Sequence, residues 1–109
     1  MQALKIDNRL IEIAQLFGNS EQIIREALKI YSIDKCQKRI SKAMDHIIEY
    51  TKKYNCDYTS FKYFTQMDDD YIANVEEDNP LWESDAFEWE YWSKEHTEWS
   101  QILRNILRI

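Results

Sequence analysis

The residues best suited by type and spacing to do chemistry are four tryptophans and the carboxylates between them. In one helix, tryptophans seven residues apart share a face, and here two such pairs run side by side. Interfaces are enriched in tryptophan, and carboxylates select basic partners by charge. The pattern predicts recognition of another protein, although a tryptophan stripe in so short a chain is equally expected in a core. The candidate contact residues are Trp82, Glu83, Glu88, Trp89, Glu90, Trp92 and Trp99.

Patterns for catalysis or metal binding are missing from the sequence. There is no HExxH motif, no paired cysteine motif, no calcium loop and no glycine-rich phosphate loop. His96 falls on the tryptophan stripe, where a packed side chain is the commoner outcome. The run Asp68–Asp70 is typical of a solvated turn or a helix cap. We therefore expect neither an enzyme nor a bound metal or cofactor.

Charge divides the chain into two regions, which we expect to have two binding roles. Residues 1–53 contain ten Lys/Arg and seven Asp/Glu, a net charge of +3. Residues 54–109 contain four and thirteen, a net charge of −9, together with twelve of the fifteen aromatic residues. A basic face favours polyanions, whereas an acidic face attracts basic proteins.

Length and composition indicate one small helical domain. Gly18 and Pro80 are the only glycine and proline among 109 residues, which argues against an all-β fold. The aromatic content argues against disorder. No apolar run approaches a membrane span, and cysteines 36 and 56 are read as free thiols. The expected location is the cytoplasm.

Periodicity predicts the helices that must position these residues. Residues 1–7 alternate weakly, as in a short strand, and Asp7 or Asn8 then caps a helix that ends at Gly18. A helix from Ser20 to Tyr54 is uninterrupted by glycine or proline. Its narrow apolar seam requires a partner helix. The seam residues are Ile33, Ile40, Ile47 and Tyr54 at one heptad position and Cys36, Ala43 and Tyr50 at the other.

The acidic region is predicted to contain three helices. The first is a short helix over residues 58–67, capped by Thr59 or Ser60, and residues 70–77 form another. Asn79-Pro80 marks a boundary, with Pro80 at the first position of a last helix that runs to about Leu107. This last helix carries the tryptophan stripe.

Several short motifs in the first 31 residues stand in a familiar order. Ile6-Asp7 ends the strand, the next helix contains Leu10, Ala14 and Leu16-Phe17-Gly18, and the following helix carries Ala27-Leu28 with Tyr31. Residues 4–31 thus resemble a ribbon–helix–helix unit and are most similar to VapB-like antitoxins of bacterial toxin–antitoxin pairs. Residues 53–61 are similar to the continuation of many small antitoxins.

The resemblance implies a mainly α fold with an N-terminal ribbon–helix–helix dimerisation unit. In that family, two chains exchange strands into a ribbon that enters the DNA major groove. Ala3 and Lys5 would face the bases of operator DNA, and Asn19 and Ser20 would hold a phosphate. Because Lys5 is the one outward basic residue of the strand, DNA binding is expected to be weak. The acidic region would bind the cognate toxin.

Two functions follow as hypotheses. In the first, residues 1–53 form the homodimer and bind the operator, and residues 54–109 neutralise a basic toxin, a ribonuclease, by occluding its active site. In the second, the chain is an acidic all-helical inhibitor or adaptor without DNA binding. Residues 1–7 would then be a tail or a helix start, and the long helix would pair with the tryptophan helix in one bundle.

Overall fold

The computed structural model describes residues 6–109, which form five α-helices. α1 spans Asn8–Gln15, α2 spans Ser20–Tyr54, α3 spans Tyr58–Met67, α4 spans Asp69–Asp78 and α5 spans Trp82–Leu107. At 1.5 Å per residue, α2 is about 50 Å long. The molecule measures 68 × 26 × 24 Å. None of the helices formed by residues 6–109 is long and apolar enough to cross a membrane, and the cytoplasmic location stays a prediction.

The predicted ribbon–helix–helix fold is wrong, because residues 6–109 contain helices and no strand. Ile6 and Asp7, the end of the predicted strand, are not in a strand. Asp7 instead accepts a hydrogen bond from the backbone N–H of Arg9 and caps α1. A lone strand also leaves its backbone hydrogen-bonding groups unpaired within one chain. Residues 1–5 of the predicted strand lie outside the described residues.

The long second helix is confirmed, and its partner is α5. Tyr50 lies opposite Glu88, His46 opposite Trp92 and Arg39 opposite Trp99. As the α2 residue number falls, the α5 number rises by the same amount, so the two helices are antiparallel.

The predicted heptad positions form the seam between α2 and α5. Cys36, Ala43 and Tyr50 are the three buried residues of α2, and Trp89 is the buried residue of α5. The spacing of seven identified these residues because a coiled-coil seam returns to the same face every two turns.

The remaining helices cover one end of this hairpin. Phe61 of α3 is buried against Tyr50 and Trp89, and α4 adds Tyr71 and Val75 to the edge of the same cluster. The N-cap of α3 is Asp57, not Thr59 or Ser60 as predicted. The core therefore lies where α2, α3, α4 and α5 meet.

Two predicted helix ends are wrong. α1 ends at Gln15, three residues before Gly18, although Gly18 does have a positive φ of 151°. α5 begins at Trp82, so Pro80 precedes the helix instead of standing at its first position. α1 thus ends three residues before Gly18, and α5 begins two residues after Pro80. Offsets of this size are common at helix ends.

Candidate protein-binding surface

Trp89 lies in the core of its own chain. Its side chain has 0% exposure, and its ring centroid is 5.2–5.8 Å from those of Tyr50, Tyr54, Tyr58 and Phe61. The indole Nε1 has no hydrogen-bond acceptor among the described residues. Trp89 therefore contributes through packing, and it offers no surface to a partner in this structure.

Trp92 and Trp99 are half-buried against basic side chains of α2. The ring of His46 stacks on Trp92 with centroids 4.0 Å apart and planes 6° from parallel. The Arg39 guanidinium lies 4.6 Å from the Trp99 ring centroid, and Lys42 Nζ lies 5.6 Å from that of Trp92. A cation over an aromatic face is attracted by the ring quadrupole. The mildly basic half and the aromatic half thus complement each other within one chain.

Trp82 lies at the edge of the same cluster. Its ring meets Phe61 edge-on at 6.2 Å between centroids, and its Nε1 donates to Glu76 at 3.4 Å. The structure therefore brings all four tryptophans onto the side of α5 that faces the rest of the chain. Their predicted role as anchors for another protein stays a prediction.

The three predicted carboxylates have different surroundings. Glu88 accepts a 2.5 Å hydrogen bond from the Tyr50 hydroxyl. Glu90 pairs with Lys94 at 3.3 Å, and Glu83 is exposed in the first turn of α5. Of these three carboxylates, Glu83 alone has no hydrogen bond or ion pair with another side chain among the described residues.

Asp85 is the centre of a polar network that the sequence did not reveal. It accepts hydrogen bonds from Lys53 Nζ at 2.6 Å and from the Tyr54 hydroxyl at 2.5 Å. Burial alone would raise the pKa of Asp85, but these two hydrogen bonds and the charge of Lys53 outweigh it and lower the pKa. The network ties the end of α2 to the start of α5. Its signal in the sequence was the position of Asp85 on the tryptophan stripe.

Sequence reasoning also missed a set of exposed apolar side chains around the acidic helices. Phe87 is 76% exposed on α5, and Tyr91, one turn later, is exposed on the same outer face. Their spacing of four, away from the tryptophan stripe, was the available signal. Further exposed apolar side chains are on α3 and immediately before α5, namely Tyr63, Met67 and Leu81.

The predicted DNA-contact positions fall into two groups. Ala3 and Lys5 lie outside the described residues. Asn19 caps α2 by accepting from the Glu21 N–H at 2.9 Å, and Ser20 is half-buried. Glu21 places a carboxylate in the first turn of α2, where it repels a phosphate. DNA binding at Asn19 and Ser20 stays a prediction.

The two tyrosines of the seam predict a loss of stability at alkaline pH. Burial, followed by hydrogen bonds to Glu88 and Asp85, raises the pKa of Tyr50 and of Tyr54 well above the usual value. The stabilising contribution is therefore fully present below the unfolded pKa of about 10 and is lost as the pH rises through the folded-state pKa. We expect urea midpoints to fall between pH 9 and pH 11.

The double variant Tyr50→Phe with Tyr54→Phe is expected to lose less stability over that pH interval, because the unfolded chain then has two fewer tyrosines to ionise. Tyr31→Phe, which changes an exposed tyrosine, serves as the control and should follow the wild type. A double variant with the alkaline dependence of the wild type would contradict this assignment.

Among residues 6–109, no three His, Cys, Asp or Glu side chains stand close enough together to hold a metal ion. What the described surface offers is a run of carboxylates interspersed with exposed apolar side chains. Comparison with protein-family models, with curated proteins and with solved structures finds no match to this chain.

Proposed function

We propose that this chain is an acidic, all-helical inhibitor that binds a basic protein, and that its specific role is that of an antitoxin against a ribonuclease. One observation carries the proposal. The 31 residues between Lys62 and Lys94 contain no lysine or arginine and ten carboxylates. Within residues 6–109, only Asp85 and Glu90 of these ten form an ion pair.

The unpaired carboxylates favour a partner of opposite charge. Eight negative charges without an ion-pair partner among the described residues repel one another, and this repulsion is reduced when a basic surface approaches. A ribonuclease is such a partner, because its substrate cleft must attract the RNA backbone. Carboxylates placed over that cleft would take the place of phosphates and block access to it.

Exposed apolar side chains supply the contacts that charge alone does not. Aromatic residues and methionine are enriched at the centres of interfaces, whereas charged residues stand at the rim. Met67, Leu81 and Phe87 are each more than 70% exposed and occur in or next to the acidic helices. They replace the buried Trp89 as the expected anchors, with Glu83 as a charged neighbour.

A variant in which four carboxylates of the acidic region are replaced by amides tests the proposal. We expect it to bind the basic partner at least about tenfold more weakly than the wild type and to respond less to added salt, since charge complementarity drives encounter. Binding is measured on immobilised full-length chain, with partners eluted by salt from a lysate of the source cells. The neutralised residues are Glu76→Gln, Glu77→Gln, Asp78→Asn and Glu83→Gln.

A matched control removes the same number of charges from the other half of the molecule. All four are exposed carboxylates of α1 and α2, and their loss should leave capture unchanged. They are Glu12→Gln, Glu26→Gln, Asp45→Asn and Glu49→Gln. Equal capture by both variants, or capture of acidic proteins only, would refute the binding proposal. The antitoxin role further requires that the captured protein cleave RNA and that the chain stop the cleavage.

A further inference from the structure

The chain exposes far more surface than a compact protein of its size. Its accessible area is 8981 Å², whereas a compact monomer of 13.3 kDa exposes about 6,500 Å². Its radius of gyration is 21.8 Å, against about 13 Å for a compact chain of this length. The difference in area is larger than the roughly 800 Å² that each partner buries in a standard interface.

The N-terminal end of the hairpin contributes to this excess. Lys29 Nζ donates to the carbonyl oxygen of Ile109, two residues after the end of α5. Ile106 of α5 lines a cavity with Arg25 and Leu28, and by the antiparallel register the turns of α2 before Arg25 lie beyond the end of α5. We refer to residues 6–31, which comprise α1 and the first three turns of α2, as the N-terminal arm. None of its residues is buried, and the first buried residue of the described chain is Cys36.

The arm carries two exposed apolar stripes. Each follows the spacing of one helix face. α1 and the turn after it carry Leu10, Ile13 and Phe17, and α2 carries Ile24, Leu28 and Tyr31. Exposure of the six ranges from 39% to 83%. With about 200 Å² for a residue of this size, they expose roughly 700 Å², close to one side of a standard interface.

A groove between the two helices lies on the same arm. It has a volume of about 140 Å³, and its lining includes Leu10, Ile11, Ala14 and Ile24. α1 therefore does not seal the apolar face of α2. An eight-residue helix is not stable in water on its own, so its amphipathic sequence requires further packing.

The charge of the N-terminal arm indicates which kind of partner covers its apolar face. The arm contains three Lys/Arg and four Asp/Glu, a net charge of −1. Arg9 pairs with Asp7 and Arg25 with Glu21, each at 3.0 Å. A face that is nearly neutral and internally paired does not select a strongly charged partner. It is compatible with a copy of itself, whereas two copies of the acidic region, at −9 each, repel.

We propose that the chain forms a two-fold symmetric dimer in which the N-terminal arms of two copies pack together. Each copy presents the same patch, as a closed two-fold interface requires. The acidic ends then point away from each other, and both remain free. This inference is independent of the proposed function, because it uses residues that the binding of a basic protein does not.

Sedimentation equilibrium of the full chain over a dilution series tests the dimer. The wild type is expected to have twice the 13.3 kDa chain mass. Leu28→Glu is expected to weaken the dimer on the order of 100-fold or more, since it places an unpaired charge in the interface of each copy. Phe17→Glu, in the turn after α1, is a second variant with the same expectation. Circular dichroism should show unchanged helix content, because both side chains are exposed in the single chain.

The matched control is Ile48→Glu, which adds the same charge at an exposed apolar residue of α2 that lies outside the arm. It should leave the dissociation constant unchanged. A wild type that remains monomeric at every concentration overturns the proposal. So does a dimer that survives both arm variants, and so does a dimer that Ile48→Glu dissociates equally, since its interface would then not be the arm.

Discussion

Replacing Trp89 with alanine is expected to lower the free energy of unfolding by about 3–5 kcal/mol, the usual cost of deleting a large buried aromatic side chain. The indole fills the space among helices α2, α3 and α5, and four aromatic rings contact it. Its removal opens a cavity that these rings cannot close without leaving their own contacts. The measurement is urea unfolding monitored by circular dichroism.

Phe87→Ala is the control for this prediction. It removes a large aromatic side chain from the same helix, two residues earlier, but that side chain is 76% exposed. Its cost should stay within about 0.5 kcal/mol, as for most surface substitutions. Equal effects of the two variants would show that Trp89 is not in the core. The pair therefore decides whether the tryptophan stripe stabilises its own chain.

The seam between α2 and α5 was predictable because its physics is periodic. Burial of one helix against another requires an apolar residue every three or four positions, and that requirement is visible in Cys36, Ala43 and Tyr50 without knowledge of the partner helix. The seam alone did not decide the partner, and only the second hypothesis paired it with the tryptophan helix, a pairing that the structure confirms. Tryptophan suits an interface and a core equally well, so residue type and spacing did not decide whether Trp89 is buried in the core or exposed to a partner.

The predicted ribbon–helix–helix fold was wrong for a related reason. Its motifs in residues 4–31 mostly record a helix, a glycine turn and a second helix, and the structure contains those elements as α1, the turn at Gly18 and the start of α2. The strand contributes only a few residues to the pattern, and Asp7 fits a helix cap as well as a strand end. Local patterns therefore identified the helices but not the ribbon.

The candidate surface depended on long-range geometry. The sequence identified the acidic region and placed Glu83 in it, because charge is visible residue by residue. It did not separate Glu83, which forms no side-chain hydrogen bond with another described residue, from Glu88, which accepts one from Tyr50. Which carboxylate is held by α2 depends on the antiparallel register of α2 and α5, and that register is set by contacts 30 to 40 residues apart in sequence.

Replacing Asp85 with alanine is expected to cost about 2 kcal/mol of stability at pH 7. The carboxylate accepts hydrogen bonds from Lys53 and Tyr54, and bonds to a charged group each contribute about 1.5–3 kcal/mol. We take a total below the sum of two such bonds because the Lys53 side chain is 43% exposed and the pair is partly screened by solvent. Urea unfolding of the variant and the wild type measures the difference.

Glu83→Ala separates this network from the general effect of a negative charge at a helix start. Glu83 and Asp85 both stand in the first turn of α5 and interact with the same helix dipole. Of these two carboxylates, only Asp85 joins α5 to α2, so Glu83→Ala should cost a few tenths of a kcal/mol.

The pH dependence of stability provides a second criterion for the Asp85 network. The lowered pKa of Asp85 contributes stability above the unfolded pKa of about 3.9, and this contribution is lost as the pH falls through the folded-state pKa. Asp85→Ala should therefore reduce the acid-induced loss of stability, whereas Glu83→Ala should preserve it. Equal costs for the two variants at pH 7, with unchanged acid dependence, would mean that the helix dipole accounts for Asp85 and that the network contributes nothing measurable.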